Sequence, residues 1–207
     1  MPDGPIRAWR GERIYLRPRE PEDEERIQRW YEDARVVAIL GELPQSLTTR
    51  RASRARADDA PSSAHQFVIC LLDDDRAIGR CDLFEIDERN GSCALGIMIG
   101  EPDLWGQGLG TDTVNVLVDF AFGQLRMERV WLDTDSANLR AQASYAKAGF
   151  VEEGRLRHAY YQDGAWLDGV RMAILRDDWK ALRRSRSWEL AAEAVDAVAL
   201  SGHQPTP

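Results

Sequence analysis

The stretch best equipped for chemistry runs Ile97-Met98-Ile99-Gly100-Glu101-Pro102-Asp103-Leu104-Trp105-Gly106-Gln107-Gly108-Leu109-Gly110-Thr111. An apolar run ends, glycines follow at every second position, and the apolar residues then take up helical spacing. Glycine lets successive backbone N–H groups turn toward one point. The start of the helix behind them adds about half a positive charge. Together these make a seat for a phosphate or pyrophosphate that needs no basic side chain. A tight strand-to-helix turn, with glycines for packing alone, has the same appearance. A P-loop requires Gly-Lys, which does not occur in the chain. A dinucleotide fingerprint requires glycine where Thr111 stands, although Asp133 is spaced for a ribose contact.

The elements that must hold this loop can be read from apolar periodicity. Residues 13–17 alternate and predict a short strand, and residues 24–34, with Ile27, Trp30 and Tyr31 on one stripe, predict a helix. The Arg- and Ala-rich stretch 46–60 predicts a second helix. Residues 65–72, 77–86 and 92–99 predict three strands joined by acidic turns, an antiparallel meander. Val114, Leu117, Val118, Ala121, Phe122 and Leu125 then predict an amphipathic helix over 110–125. A strand at 129–134 follows, then a helix at 139–148 closed by Gly149. Residues 150–156 and 166–174 read as a hairpin with its turn at Gln162-Asp163-Gly164. Short helices are expected at 177–184 and 187–200, the latter capped by Ser187, before a frayed tail. Trp188, Leu190, Ala191, Ala194, Val195 and Val198 form an apolar stripe suited to a dimer contact or an intramolecular lid.

Composition narrows the function. The 207 residues carry 27 Lys and Arg against 35 Asp and Glu, a net charge of −8. Such a chain repels a polyphosphate backbone, so nucleic-acid binding is not expected, while a cationic amine substrate suits it. No apolar run approaches the ~20 residues of a membrane span, and no membrane role is expected. Residues 1–5 have no basic flank before an apolar stretch, so no secretory signal is expected. Cys70, Cys81 and Cys93 lack metal or disulfide spacing, and the three histidines are scattered. A cytoplasmic protein without a metal is the expectation.

Three blocks in order carry a family resemblance. The loop Trp105-Gly106-Gln107-Gly108-Leu109-Gly110 resembles motif A of the GNAT superfamily of N-acetyltransferases, [QR]-x-x-G-x-[GA], which holds the pyrophosphate of acetyl-CoA. Trp105 replaces the usual Gln or Arg, and a tryptophan-glycine pair there is familiar in the RimJ/RimL-like branch. Asn138, followed by a helix ending Tyr145-x-x-x-Gly149-Phe150, is similar to the second block, and Tyr160-Tyr161-x-Asp163-Gly164-x-x-x-Asp168 to a late hairpin.

The resemblance covers roughly residues 10–182 and implies a mixed α/β (α+β) GNAT fold. Its central, mostly antiparallel sheet would be flanked by helices and splayed between strands four and five. It implies that the loop from Trp105 to Thr111 binds the cofactor pyrophosphate, that the backbone of Ile97, Met98 and Ile99 binds the pantetheine arm and thioester, and that Asn138 holds the arm. It implies Tyr145 as the acid that protonates the thiolate. The implied base is a carboxylate. Strand four has Ala94 or Leu95 where many RimL-like relatives carry Glu; Asp133, twelve residues before Tyr145, stands where the RimI-type acetyltransferases have a Glu and is the base the resemblance implies, with Glu101 and Asp135 behind it. Asp133 as a cap for the turn at Ser136-Ala137 is the structural alternative. We therefore expect a catalytic domain at 10–184, a C-terminal extension at 185–207, and direct acetyl transfer from acetyl-CoA to a peptide N-terminus or small amine. A non-catalytic acyl-CoA-binding module and a dinucleotide oxidoreductase are the alternatives.

Overall fold

In the computed structural model the described residues are residue 7, residues 9–40 and residues 64–201. The helix expected over 46–60 and the tail after 202 lie outside them. The order is β1 (Ile14–Pro18), α1 (Glu24–Trp30), α2 (Ala34–Leu40), β2 (His65–Leu71), β3 (Ala77–Asp87) and β4 (Ser92–Ile99), then α3 (Leu109–Gly123), β5 (Arg129–Asp135), α4 (Leu139–Lys147), β6 (Val151–Gln162), β7 (Ala165–Leu175), α5 (Arg176–Ala181) and α6 (Ser187–Ser201).

One seven-stranded sheet runs β1-β2-β3-β4-β5-β7-β6, antiparallel everywhere except at β4–β5. The main core lies on one face, where Val114, Leu117, Val118, Ala121 and Phe122 of α3 cover alternate residues such as Leu83, Cys93 and Leu95. Burying these side chains contributes about 1.5–3 kcal/mol each. On the other face, a second cluster of Ile27, Trp30, Tyr31 and Val36 sits on Met98.

The helix expected over 24–34 ends at Trp30, and a further helix not expected from the sequence, α2, starts at Ala34. Asp33 makes the break: its carboxylate accepts the Arg35 N–H at 2.9 Å and its carbonyl accepts the Val36 and Val37 N–H groups. A short side chain that bonds its own backbone two residues on favours exactly such a restart over a continuous helix. The β6–β7 turn falls where expected, with Asp163 at φ 50° and Gly164 at φ 82°, the left-handed pair a two-residue hairpin requires. Ser187 does not cap α6 through its hydroxyl, which donates instead to Asp119 on α3 at 3.1 Å.

Candidate active site

β4 and β5 pair only at Ser92↔Arg129, Cys93↔Val130 and Ala94↔Trp131, then separate. Each is held on its outer side. β3 pairs with β4 as far as Ile99, and β7 pairs with β5 as far as Asp135. The inner edges of Leu95–Ile99 and Leu132–Asp135 therefore face each other across a gap, their backbone groups open to a ligand. The gap is one wall of a cleft of about 640 Å³ that α2, the start of α3, and α4 complete.

The glycine loop closes one end of this cleft. Gly106 and Gly108 have φ of 76° and 85°, and a Cβ on either would meet nothing within 4 Å. Left-handed backbone explains the glycines, and the space beside them is a cradle rather than a packing contact. Gly110 is different, since a Cβ there would make ordinary contact with Ser144 Oγ at 3.6 Å. Behind the loop, the first N–H groups of α3 lack intrahelical acceptors and point their partial positive charge into the cradle.

The loop is braced from several sides. Trp105 Nε1 donates to the Ile99 carbonyl at 2.8 Å, and Arg13 Nη1 to the Gln107 carbonyl at 2.9 Å. The Gln107 amide turns back onto the Asp103 carbonyl at 2.9 Å, and Gln107 alone of the expected cofactor residues does not line the cleft. The Thr111 and Ser144 hydroxyls share a hydrogen bond of 2.8 Å that ties α3 to α4. At the far end of the α3 first turn, Asp112 accepts the N–H groups of Glu12, Arg13 and Ile14, fixing the helix to β1. Two cations of α4 join the expected residues. Arg140 lies 4.4 Å over the Trp105 ring, and Lys147 lines the cleft two turns further along α4. Their spacing on the helix after Asn138 was the available signal.

Tyr145 comes from α4 into the cleft, its ring 6.1 Å from Phe150. Burial, with Tyr160 adding to it, pushes its phenol up to about 12. It therefore keeps its proton at neutral pH, as a proton donor must before it acts. Asn138 is the N-cap of α4: its Oδ1 accepts the Ala141 N–H at 3.1 Å, and its Nδ2 donates to the Ile39 carbonyl at 3.3 Å, joining α2 to the cleft.

The carboxylates separate by what holds them. Asp133 lines the cleft, but Arg171 Nε and Nη2 donate to its two oxygens at 2.9 and 2.6 Å. Both of its oxygens are thus engaged by one guanidinium. The turn-capping task falls to Asp135, whose Oδ1 accepts the N–H groups of Ala137 and Asn138, both at 2.9 Å. Glu101 accepts the Trp30 indole N–H at 3.0 Å and borders a separate cavity of about 440 Å³. Asp82 and Glu85, from β3, line the main cleft, and neither was expected. On an alternating strand such residues look like an ordinary solvent face. Among the described residues no three metal-ligating side chains cluster, and no helix is long and apolar enough to cross a membrane.

Comparison with known proteins agrees with this architecture. Residues 13–151 match the family model of the acetyltransferase (GNAT) domain. The chain is similar to the spermidine N(1)-acetyltransferase of Escherichia coli strain K12, 27% identical over 168 residues, covering 81% of this chain and 89% of that protein. It is also similar to the uncharacterized N-acetyltransferase p20 of Bacillus licheniformis, 25% identical over 171 residues, 81% of this chain and 96% of that one. Among solved structures, the spermidine N-acetyltransferase of Vibrio cholerae in complex with CoA and spermine shares the fold. Its TM-score is 0.73 at 24% identity, over 81% of this chain and 98% of that one.

Proposed function

The chain belongs to the GNAT acetyltransferase family, and from that premise we propose that it acetylates a primary aliphatic amine of a small polycation. It is an acyltransferase whose acyl donor is acetyl-CoA. The open cradle at Gly106 and Gly108, at a helix N-terminus and beside Arg140, has the right chemistry for that donor's pyrophosphate. The observation that carries the acceptor class is the set of carboxylates on β3 and β5, Asp82, Glu85, Asp133 and Asp135, lining the rest of the cleft. On those strands the four carboxylates outnumber the one lining cation, Arg80, and an excess of one sign of charge concentrates ligands of the opposite sign. The spermidine acetyltransferases among the similar proteins support the same class.

In this reading the N–H groups from Gly106 to Thr111 seat the pyrophosphate, with Trp105, Gln107 and Leu109 shaping the loop. The free edge at Ile97, Met98 and Ile99 binds the pantetheine arm, and Asn138 positions the helix that borders it. Tyr145 protonates the departing thiolate. Asp133 fixes Arg171 at the acceptor side. The Trp105-Gly106 pair, built into the loop by the indole bond to Ile99, favours a second reading: RimJ/RimL-like acetylation of a protein N-terminus. The catalytic unit spans residues 10–184. The extension from 185 docks on α3 through Ser187, while Val195 remains exposed for a second copy of the chain. Cys70, Cys81 and Cys93, free and buried, suit the reducing cytoplasm.

The test offers spermidine and a peptide with a free alanine N-terminus to the protein with acetyl-CoA. Acetylated spermidine is the expected product. Acetylation of the peptide alone would replace the polyamine reading with the second one.

A further inference from the structure

We propose that Asp82 is the general base of the transfer, taking a proton from the acceptor ammonium where β4 leaves β5. The inference rests on the reading of the cleft as an amine-acetylating site.

Asp82 lies on β3 opposite Gly96, two residues beyond the last β4–β5 pair at Ala94↔Trp131. A Cβ on Gly96 would stand 2.7 Å from Asp82 Oδ1 and 3.3 Å from its Cγ. The carboxylate thus leans over bare β4 backbone at the point where the strands part, and Gly96 is the residue that leaves room for it. The side chain is 21% exposed, enough to reach the cleft it lines while most of its hydration is lost.

Its neighbours leave it able to accept a proton. Burial raises its pKa above the usual aspartate value, against the pull of Arg80 and Arg19. Arg80 Nη1 forms an ion pair with Oδ1 at 3.6 Å, longer than a hydrogen bond, and the Arg80 guanidinium is itself hydrogen-bonded to the Tyr31 hydroxyl. Arg19, in the connection before α1, donates to Gln66 of β2 and pairs with Glu24 of α1. Glu85 of β3 is exposed. Asp133 offers the contrast, with both oxygens held by Arg171.

The ammonium gives one proton to Asp82, which passes it to solvent. The neutral nitrogen attacks the thioester carbonyl, so that a C–N bond forms. The C–S bond then breaks with its electron pair on sulfur, and Tyr145 protonates the thiolate. The second nitrogen proton, lost as the adduct collapses, returns through solvent to the tyrosinate.

The test compares the wild type with Asp82→Asn and Asp82→Glu, using spermidine or the alanine peptide, whichever the wild type takes. An alkoxyamine, unprotonated at neutral pH, serves as second nucleophile, and acetyl-CoA affinity is measured by calorimetry. The Asn variant should lose about 10²-fold in kcat at neutral pH. That loss should shrink at alkaline pH and nearly vanish with the alkoxyamine, at unchanged acetyl-CoA affinity. The Glu variant should keep part of the activity with a displaced acid limb. No loss, or the same loss at every pH with both nucleophiles, would overturn the role of Asp82. Should the Asn variant not bind acetyl-CoA, an undisplaced acid limb in the Glu variant would overturn it equally. Wild-type protein that acetylates neither nucleophile contradicts the functional reading and the base with it. Activity in the wild type matched by the variants contradicts the base alone.

Discussion

Replacing Asp119 by Asn tests how the C-terminal extension is held to the catalytic fold. Asp119 sits on α3 with its side chain fully buried, an expensive place for a charge unless it is paired. Its Oδ1 accepts from Trp179 Nε1 at 2.8 Å and Arg184 Nη2 at 2.7 Å. Its Oδ2 accepts from Arg184 Nη1 at 2.9 Å, the Ser187 N–H at 2.8 Å and the Ser187 hydroxyl at 3.1 Å. Asparagine keeps the shape, removes the charge and turns an NH2 toward one of these donor sets. Arg184, only 20% exposed, is left without its anion. Breaking a buried pair in this way costs about 3–5 kcal/mol. For a chain of this size that lowers Tm by roughly 6–20 °C. Scanning calorimetry of the wild type and Asp119→Asn reads the difference. Ser187→Ala, which forfeits only the hydroxyl bond, is the internal scale at about 1 kcal/mol. A fall no larger than that of Ser187→Ala would refute the view that this carboxylate clamps α5 and α6 to α3.

Tyr145→Phe should lower kcat by about 10²-fold while leaving acetyl-CoA affinity unchanged; equal turnover would remove Tyr145 from the proton path. Gly108→Val forces a branched side chain into φ of 85°, so acetyl-CoA affinity measured by calorimetry should weaken by about tenfold or more. The far-UV circular dichroism should stay the same. The raised pKa of Asp82 has a thermal signature of definite sign. A carboxyl that binds its proton more tightly folded than unfolded loses stability as pH rises from about 4 through its folded value. Asp82→Asn escapes that loss, so its Tm relative to wild type should be higher at pH 7 than at pH 4. A difference independent of pH would show that burial does not raise this carboxyl.

What could be read from the chain beforehand was local. The glycine loop announces itself through residue type and spacing, and Gly106 and Gly108 prove to be the two that need left-handed backbone. The antiparallel meander from β2 to β4 follows from alternation and acidic turns, and Asn138 caps α4 as its type suggests. The cleft itself leaves no such mark, because it is a place where pairing stops. β4 and β5 part because β3 and β7 hold their outer edges, a relation between segments far apart in the chain. The occupation of Asp133 was hidden for the same reason, since it depends on the register that sets it opposite Arg171. Asp82 was overlooked because Arg80, Asp82 and Phe84 alternate like any solvent-facing side of a strand. Only its placement opposite Gly96 gives it meaning.

Product analysis shows whether the splayed cleft carries acetyl from acetyl-CoA to an amine. The protein is incubated with acetyl-CoA and each of the two acceptors, and released CoA thiol and acetylated amine are both counted. One acetylated spermidine is expected for each thiol released. Thiol release without any acetylated amine, or no release with either acceptor, would contradict it.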